Sequence, residues 1–314
     1  MAKLIRIKKL LISMRYCYLT LKLNRITKET SDSDECVILG NGPSLKESFE
    51  KDMSFIKARK IFCVNSFAES DYYVDLKPNF YILADPLYWE KDYQNIFDDI
   101  ENSNISKYEK NHDNIVNVEF YRKLKKVRDN LFKSLIDKTQ WKLNLFIPLH
   151  SKPSGVFDEV AKKNKNINLI YYSTIPINFN IPFFRHLFYK LNIGMPTPQT
   201  VLVAAIFLAL KSNFKKIFLF GVDHSWHEDL VLDENNILCI KDKHFYNATE
   251  NKLTPLVGNI KTGITTKMHE QFYALYLTFR SHLLLEYYSE VINSKVYNFS
   301  KKTYVDAYER YYGN

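Results

Sequence analysis

Glycine is scarce in this chain, at 8 of 314 residues, and proline stands at 10, so no flexible or low-complexity tract interrupts it. Cysteine is limited to Cys17, Cys36, Cys63 and Cys239, scattered without a Cys-x-x-Cys pair. That pattern argues against a structural zinc site or a disulfide framework, and for a reduced compartment. Acidic residues are absent from the first 28 positions, which hold eight Lys or Arg. The longest uninterrupted apolar run there is Tyr16 to Leu19, far short of the roughly 20 residues that cross a bilayer. A secretory signal, with its continuous apolar core and small-residue cleavage site, is not expected either.

The formal charge of +9 comes from 44 basic and 35 acidic residues, and eight of the cations (Lys3, Arg6, Lys8, Lys9, Arg15, Lys22, Arg25, Lys28) precede Glu29. From Glu29 onward 36 bases face 35 acids, so the basicity is local. Leu4, Ile7, Leu11, Met14, Tyr18 and Leu21 recur at spacings of three and four, which gathers them on one helix face with cations around it. The expectation for residues 1–28 is a basic amphipathic helix lying on the anionic inner face of a cell membrane, with the protein cytoplasmic and peripheral. The competing reading is an ordinary amphipathic helix packed on the body. Nucleic acid explains the segment less well, because nothing later continues a basic track.

Residues 29–35 are polar and linker-like, and Asp32-Ser33-Asp34 precedes the first strand instead of ending one, so it is read as linker rather than as a metal-binding Asp-x-Asp. Apolar runs bounded by polar turns follow at Cys36–Leu39, Lys60–Val64, Phe80–Ala84, Asn114–Phe120, Ile167–Tyr172, Lys216–Phe220, Ile237–Ile240 and Lys295–Tyr297. Several are too uniformly apolar to have a wet face. Thr200–Lys211 and Lys267–Val291 read as helices. The alternation predicts an α/β fold over 36–314, with a Rossmann-like, doubly wound, mostly parallel sheet. A helical insertion and lid are expected at about 88–194, and a lid loop at about 224–262. Tyr and Phe are abundant, at 22 each, and are not read as a ligand platform.

Gly40-Asn41-Gly42-Pro43-Ser44-Leu45 follows the first strand and leads into a helix for which Ser44-Leu45-Lys46-Glu47 predicts a capping box. A strand, a small-residue turn and a helix N-terminus form a place where a phosphate sits. Leu45 stands where the dinucleotide fingerprint needs its third glycine, and no Walker Lys-Ser/Thr pair occurs. Asn65 and Asp85 end the next two strands, and Gly221-Val222-Asp223-His224 ends a later one. In an open parallel sheet these endings line one crevice. Turn or capping roles are the alternative for Asn65 and Asp85. His224 and His227 have a spacing open to metal binding, although a solvated loop explains them more simply.

Val37 to Ser44, Cys63-Val64-Asn65 and Ile217 to Asp223 resemble the bacterial sialyltransferases that use CMP-activated donors, within the wider superfamily of Kdo transferases and MptE-like proteins. The resemblance covers most of Cys36 to Asn298. It implies a metal-independent glycosyltransferase in which Asn41, Gly42, Ser44 and Asn65 contact the donor nucleotide. It likewise implies that Gln199 and Thr200 line the nucleotide site, that Gly221 to Asp223 hold the cytidine, and that His244 takes the acceptor proton. The sialyltransferases carry an asparagine where this chain has Asp85, which opens a role for a carboxylate at the anomeric centre and leaves retention open. The expected reaction moves an acidic sugar, of the sialic acid or Kdo type, from CMP to a surface-glycan acceptor. No metal or other cofactor is demanded, and a homo-oligomer is compatible. The alternatives are an MptE-like pyrophosphokinase using ATP and Mg²⁺, with Asp85 and Asp223 as metal ligands, and a non-catalytic membrane-associated glycan-assembly protein.

Overall fold

The computed structural model describes residues 34–102, 118–241, 253–259 and 264–311. Eight strands form one sheet: β1 (Glu35–Leu39), β2 (Lys60–Val64), β3 (Phe80–Ile82), β4 (Leu143–Pro148), β5 (Ile167–Tyr172), β6 (Lys216–Phe220), β12 (Lys295–Asn298) and β13 (Glu309–Arg310). Their spatial order is β13-β12-β6-β1-β2-β3-β4-β5, and every neighbouring pair is parallel. The fold is therefore α/β and Rossmann-like, as the alternation predicts.

The strands are apolar throughout because both faces are covered. On β1, Cys36 and Ile38 join one core and Val37 and Leu39 the other, the alternation that a pleated strand imposes. Helix α1 (Leu45–Lys57) packs on the second face through Leu45, Phe49 and Ile56. Helices α2 (Tyr72–Leu76), α3 (Lys91–Glu101), α4 (Val118–Lys138) and α5 (Val156–Lys163) follow in the same half of the chain. The first face is covered by α7 (Val201–Lys211), whose ten residues Val201 to Leu210 are all buried. A helix that is apolar on every side must be enclosed, and α7 lies between the sheet and α8 (Met268–Val291), with α6 (Pro182–Lys190) beside α8.

Several local expectations change. Val118–Phe120 opens α4 instead of ending a strand, because Tyr121, Leu131 and Leu135 continue the apolar pattern at helical spacing and are buried. Ile237–Ile240 belongs to β8 (Leu238–Lys241), which pairs antiparallel with β7 (Leu230–Leu232) and β9 (Leu253–Pro255) in a small separate sheet. A ribbon of β10 (Val257–Asn259) and β11 (Ile264–Thr265) follows. Within 88–194 lie two strands of the central sheet, β4 and β5, beside the helices expected there. Cys36, Cys63 and Cys239 are buried free thiols. Residues 1–28 and His244 lie outside the described residues.

Ala204 and Ala205 are fully buried where α7 crosses the sheet. Ala205→Leu should overfill this layer and destabilise the protein by about 1–3 kcal/mol, read as a lower urea midpoint at unchanged slope.

Candidate functional site

The chain walks outward from β1 through β2, β3, β4 and β5, then returns to place β6 on the opposite side of β1. The β1/β6 seam is the point where the winding reverses, the place where open α/β sheets form a crevice. The two strand ends approach unusually closely. Gly40 N donates to Phe220 O at 2.7 Å, and Gly42 N to Gly221 O at 2.9 Å. A Cβ on Gly40 would lie 2.3 Å from Gly221 O, and one on Gly42 2.6 Å from Asp223 Oδ2. These glycines are required by loop-to-loop contact, and Gly221 also needs its positive φ of 65°.

Asp223 closes the seam. Its carboxylate accepts from Ser44 N at 2.8 Å and from Ser44 Oγ, across 179 residues of sequence. The Ser44 side chain makes no capping bond in α1, so the expected capping box is replaced by a carboxylate from another loop at the positive end of the helix. Burial pushes the Asp223 carboxyl up, and the two Ser44 bonds oppose that. Ser44 and Asp223, both expected at the nucleotide, are thus bonded to each other. Gly221 and Asp223 are buried and brace the loop from beneath, while Asn41, Gly42 and Ser44 are half-exposed.

The other expected residues stand around the same edge. Asn41 Nδ2 donates to Val64 O at 3.3 Å, which ties the β1 loop to the end of β2, whereas Asn41 Oδ1 is buried and has no partner among the described residues. Asn65 turns the chain after β2 with φ of 50°, held by Tyr81, whose hydroxyl donates to Asn65 O and accepts from Ala68 N at 2.8 Å. Because α7 leads into β6, its N-terminus lies at the crevice edge. Thr200 is the N-cap there, makes no side-chain capping bond, and its buried Oγ1 has no partner among the described residues. Gln199 beside it is exposed.

Asp85 follows β3 and accepts from Leu87 N at 2.9 Å. Protein crowding around its carboxyl raises its pKa, and the Leu87 bond opposes the rise. His150, after β4, was not singled out from the sequence. Its Nδ1 lies 3.2 Å from Thr174 Oγ1 and its ring 5.5 Å from that of Trp89, and desolvation lowers its pKa. Strand β4 itself is the signal that would have found it.

His224 is not part of a solvated loop. It is 3% exposed, adopts φ of 53°, and its Nε2 lies 2.8 Å from Nε2 of the fully buried His282, whose Nδ1 is 3.0 Å from Tyr308 Oη. His227 instead meets the Tyr304 ring at 4.2 Å. The turn after β12 completes the support: Val222 N donates to Ser300 Oγ at 2.8 Å, and Thr303 Oγ1 donates to Val222 O at 2.6 Å. No group of three or more His, Cys, Asp or Glu suited to a metal occurs among the described residues.

No family model matches this chain, and no curated protein does. A solved structure, MAf glycosyltransferase from Magnetospirillum magneticum AMB-1, is similar over 90% of this chain and 34% of that one, at 12% identity and a TM-score of 0.42. This chain therefore spans about a third of that protein's length. The likeness is too distant to assign an activity, so function is argued from the site.

Removing the brace should be costly. Asp223→Ala leaves Ser44 N–H without its acceptor and is expected to destabilise by about 1–3 kcal/mol in urea titration. The histidine pair predicts acid sensitivity. Burial lowers the pKa of His224 well below 6.5 and that of His282 to about 3. Between those values and 6.5 the unfolded chain binds more protons, so stability is full above pH 6.5 and falls as pH drops, by up to about 1.4 kcal/mol per unit per group. Urea midpoints from pH 7 to pH 5 should decline, and His282→Gln should flatten that slope.

Proposed function

We propose that this chain is a glycosyltransferase that moves an acidic sugar, of the sialic acid or Kdo type, from a CMP-activated donor to a glycan acceptor, without a metal. The observation that carries this reading is a pair of polar atoms at the carboxyl edge of the sheet, Asn41 Oδ1 and Thr200 Oγ1, buried with no partner among the described residues. Buried polar atoms are almost always satisfied, and the hydroxyls and phosphate of a nucleotide are groups that satisfy them. Asn41, Gly42, Ser44, Asn65, Gln199 and Thr200 form the accessible rim, and Asp223 fixes the loop that carries three of them, Asn41, Gly42 and Ser44. The α7 N-terminus, which has no side-chain cap, is the positive end of a helix and favours the single phosphate of CMP.

In the reaction the acceptor oxygen bonds to the anomeric carbon as the bond from that carbon to the phosphate oxygen breaks. CMP leaves with the electron pair, and the acceptor proton passes to a base. His244 is the residue proposed for that proton, and the Asp85 carboxylate is proposed to stabilise positive charge on the sugar as the bond to phosphate weakens. Proton transfer of this kind is worth roughly 10²–10⁴ in rate. The basic segment 1–28 would keep the enzyme where lipid-linked glycans are built.

Calorimetry with CMP, CDP, UDP and ATP, each with and without Mg²⁺, tests the reading. CMP should bind preferentially and independently of Mg²⁺, with affinity reduced about tenfold in Asn41→Ala and in Thr200→Ala. His244→Ala should abolish transfer and preserve CMP binding. Binding of ATP alone, and only with Mg²⁺, would replace this reading by the pyrophosphokinase, and no nucleotide binding at all would favour the assembly protein.

A further inference from the structure

The outer surface of α8 is apolar where a solvent-facing helix should be polar. One side of α8 packs inward through Leu275, His282, Leu285 and Tyr288. The opposite side carries Phe272, Tyr276, Leu283 and Tyr287 at spacings of four, seven and four, a single stripe, with Phe272 57% and Tyr276 56% exposed. Helix α6 lies alongside, its His186 and Tyr189 rings 5.7 and 5.2 Å from that of Tyr288. It adds a second stripe, Phe183, Phe184 and Leu187, with Phe183 71% exposed. A helix apolar on both faces is normally enclosed, and an exposed apolar surface spanning two helices marks a binding face.

What covers it follows from where the chain joins the body. Asp34, the first described residue, accepts backbone bonds from Lys215 N at 2.7 Å and Lys216 N at 3.1 Å. Lys215 Nζ donates to Ile292 O at 3.1 Å, at the C-terminal end of α8. Asp34 therefore stands at the foot of the aromatic stripe, and the sequence that precedes it includes the basic stretch 1–28, with eight cations and no acid. Laid over the stripe as an intramolecular cover, it would find only Glu270, Glu286 and Glu290 on α8, against Lys267 and Arg280 beside them. Most of its charge would stay uncompensated. A second copy on this face would bring two such segments together, and they would repel. An anionic lipid surface compensates the charge and accepts aromatic rings at the headgroup boundary.

We propose that the α6–α8 face lies on an anionic lipid surface, as an apolar contact that adds to the charge attraction expected of the basic sequence 1–28. A basic segment by itself gives weak, reversible attachment, and a second apolar contact makes it stable. The orientation brings the crevice to the membrane. Ser281 Oγ donates to Thr197 O at 2.9 Å, just before the α7 N-terminus, so the turns of α8 that precede Ser281 stand beside the crevice edge. Phe272 and Tyr276 are on those turns. The inference rests on exposure and charge, not on the transferase reading, and its test needs no turnover.

The test uses the full chain with phosphatidylcholine vesicles, with and without phosphatidylglycerol, containing acyl chains brominated near the headgroup. Tryptophan is introduced as Phe183→Trp or Tyr276→Trp, and the fluorescence of the unsubstituted chain is subtracted. Both tryptophans should be open to iodide without lipid and quenched by bromine in anionic vesicles. Phe183→Ser with Tyr276→Ser should lower vesicle partitioning about tenfold or more while the circular dichroism melting profile is kept. Vesicle binding with neither tryptophan quenched, no vesicle binding, or tryptophans shielded from iodide without lipid would each overturn the proposal, the last by showing a protein cover.

Discussion

The contact on which this structure turns is the Asp223 carboxylate at the N-terminus of α1. A buried carboxylate is costly unless hydrogen-bonded, and Asp223 finds both its donors on Ser44, at the positive end of a helix. The bond draws the β1 and β6 loops so close that no side chain fits at Gly40 or Gly42. The backbone carbonyl of Asp223 in turn accepts from Tyr304 N at 2.9 Å, which brings the turn after β12 onto the same loop. Three strand ends are thus locked by groups that are far apart in sequence.

This lock decides what the crevice offers a ligand. The α1 N-terminus, the place where a phosphate would first be sought, already holds a negative charge supplied by the chain. The α7 N-terminus, on the other face of the sheet, has no side-chain cap, and Thr200 Oγ1 there and Asn41 Oδ1 across the seam have no partner among the described residues. The Gly-Asn-Gly-Pro-Ser turn is accordingly a braced loop whose helix end is already occupied by Asp223, and in the proposed reading its asparagine, not a phosphate cradle, meets the nucleotide. Asp85 and His150 extend the same edge beyond β3 and β4.

Much of the scaffold was legible because strands covered on both faces read as short, uniformly apolar runs, as in Cys36–Leu39, Lys60–Val64 and Lys216–Phe220. Strand β4 was not, because Asn144 interrupts Leu143–Pro148. That asparagine is buried, and its Oδ1 accepts from Asn168 Nδ2 at 2.9 Å on the neighbouring strand, a partner no local pattern reveals. The same reason hid the His224–His282 pair, whose members are 58 residues apart, and the substitution of Asp223 for a local cap on α1. Turn chemistry located the crevice edge, and long-range pairing decided which residues there brace and which are exposed.

Ser281 of α8 is bonded to Thr197 just before α7, so the edge that carries the proposed nucleotide site adjoins the aromatic α6–α8 face. A shallow depression of about 510 Å³ lined by Lys301, Lys302, Thr303 and Arg310 opens beside the seam, on the turn after β12 whose Thr303 and Tyr304 bond to Val222 and Asp223, and it is the rival place for a nucleotide phosphate. The most direct measurement is a crystal structure of the full chain grown with CMP. The account predicts nucleotide density at the ends of β1 and β2, with CMP atoms within hydrogen-bond distance of Asn41 Oδ1 and Thr200 Oγ1. Density in the Lys301–Arg310 depression with the seam empty would contradict it.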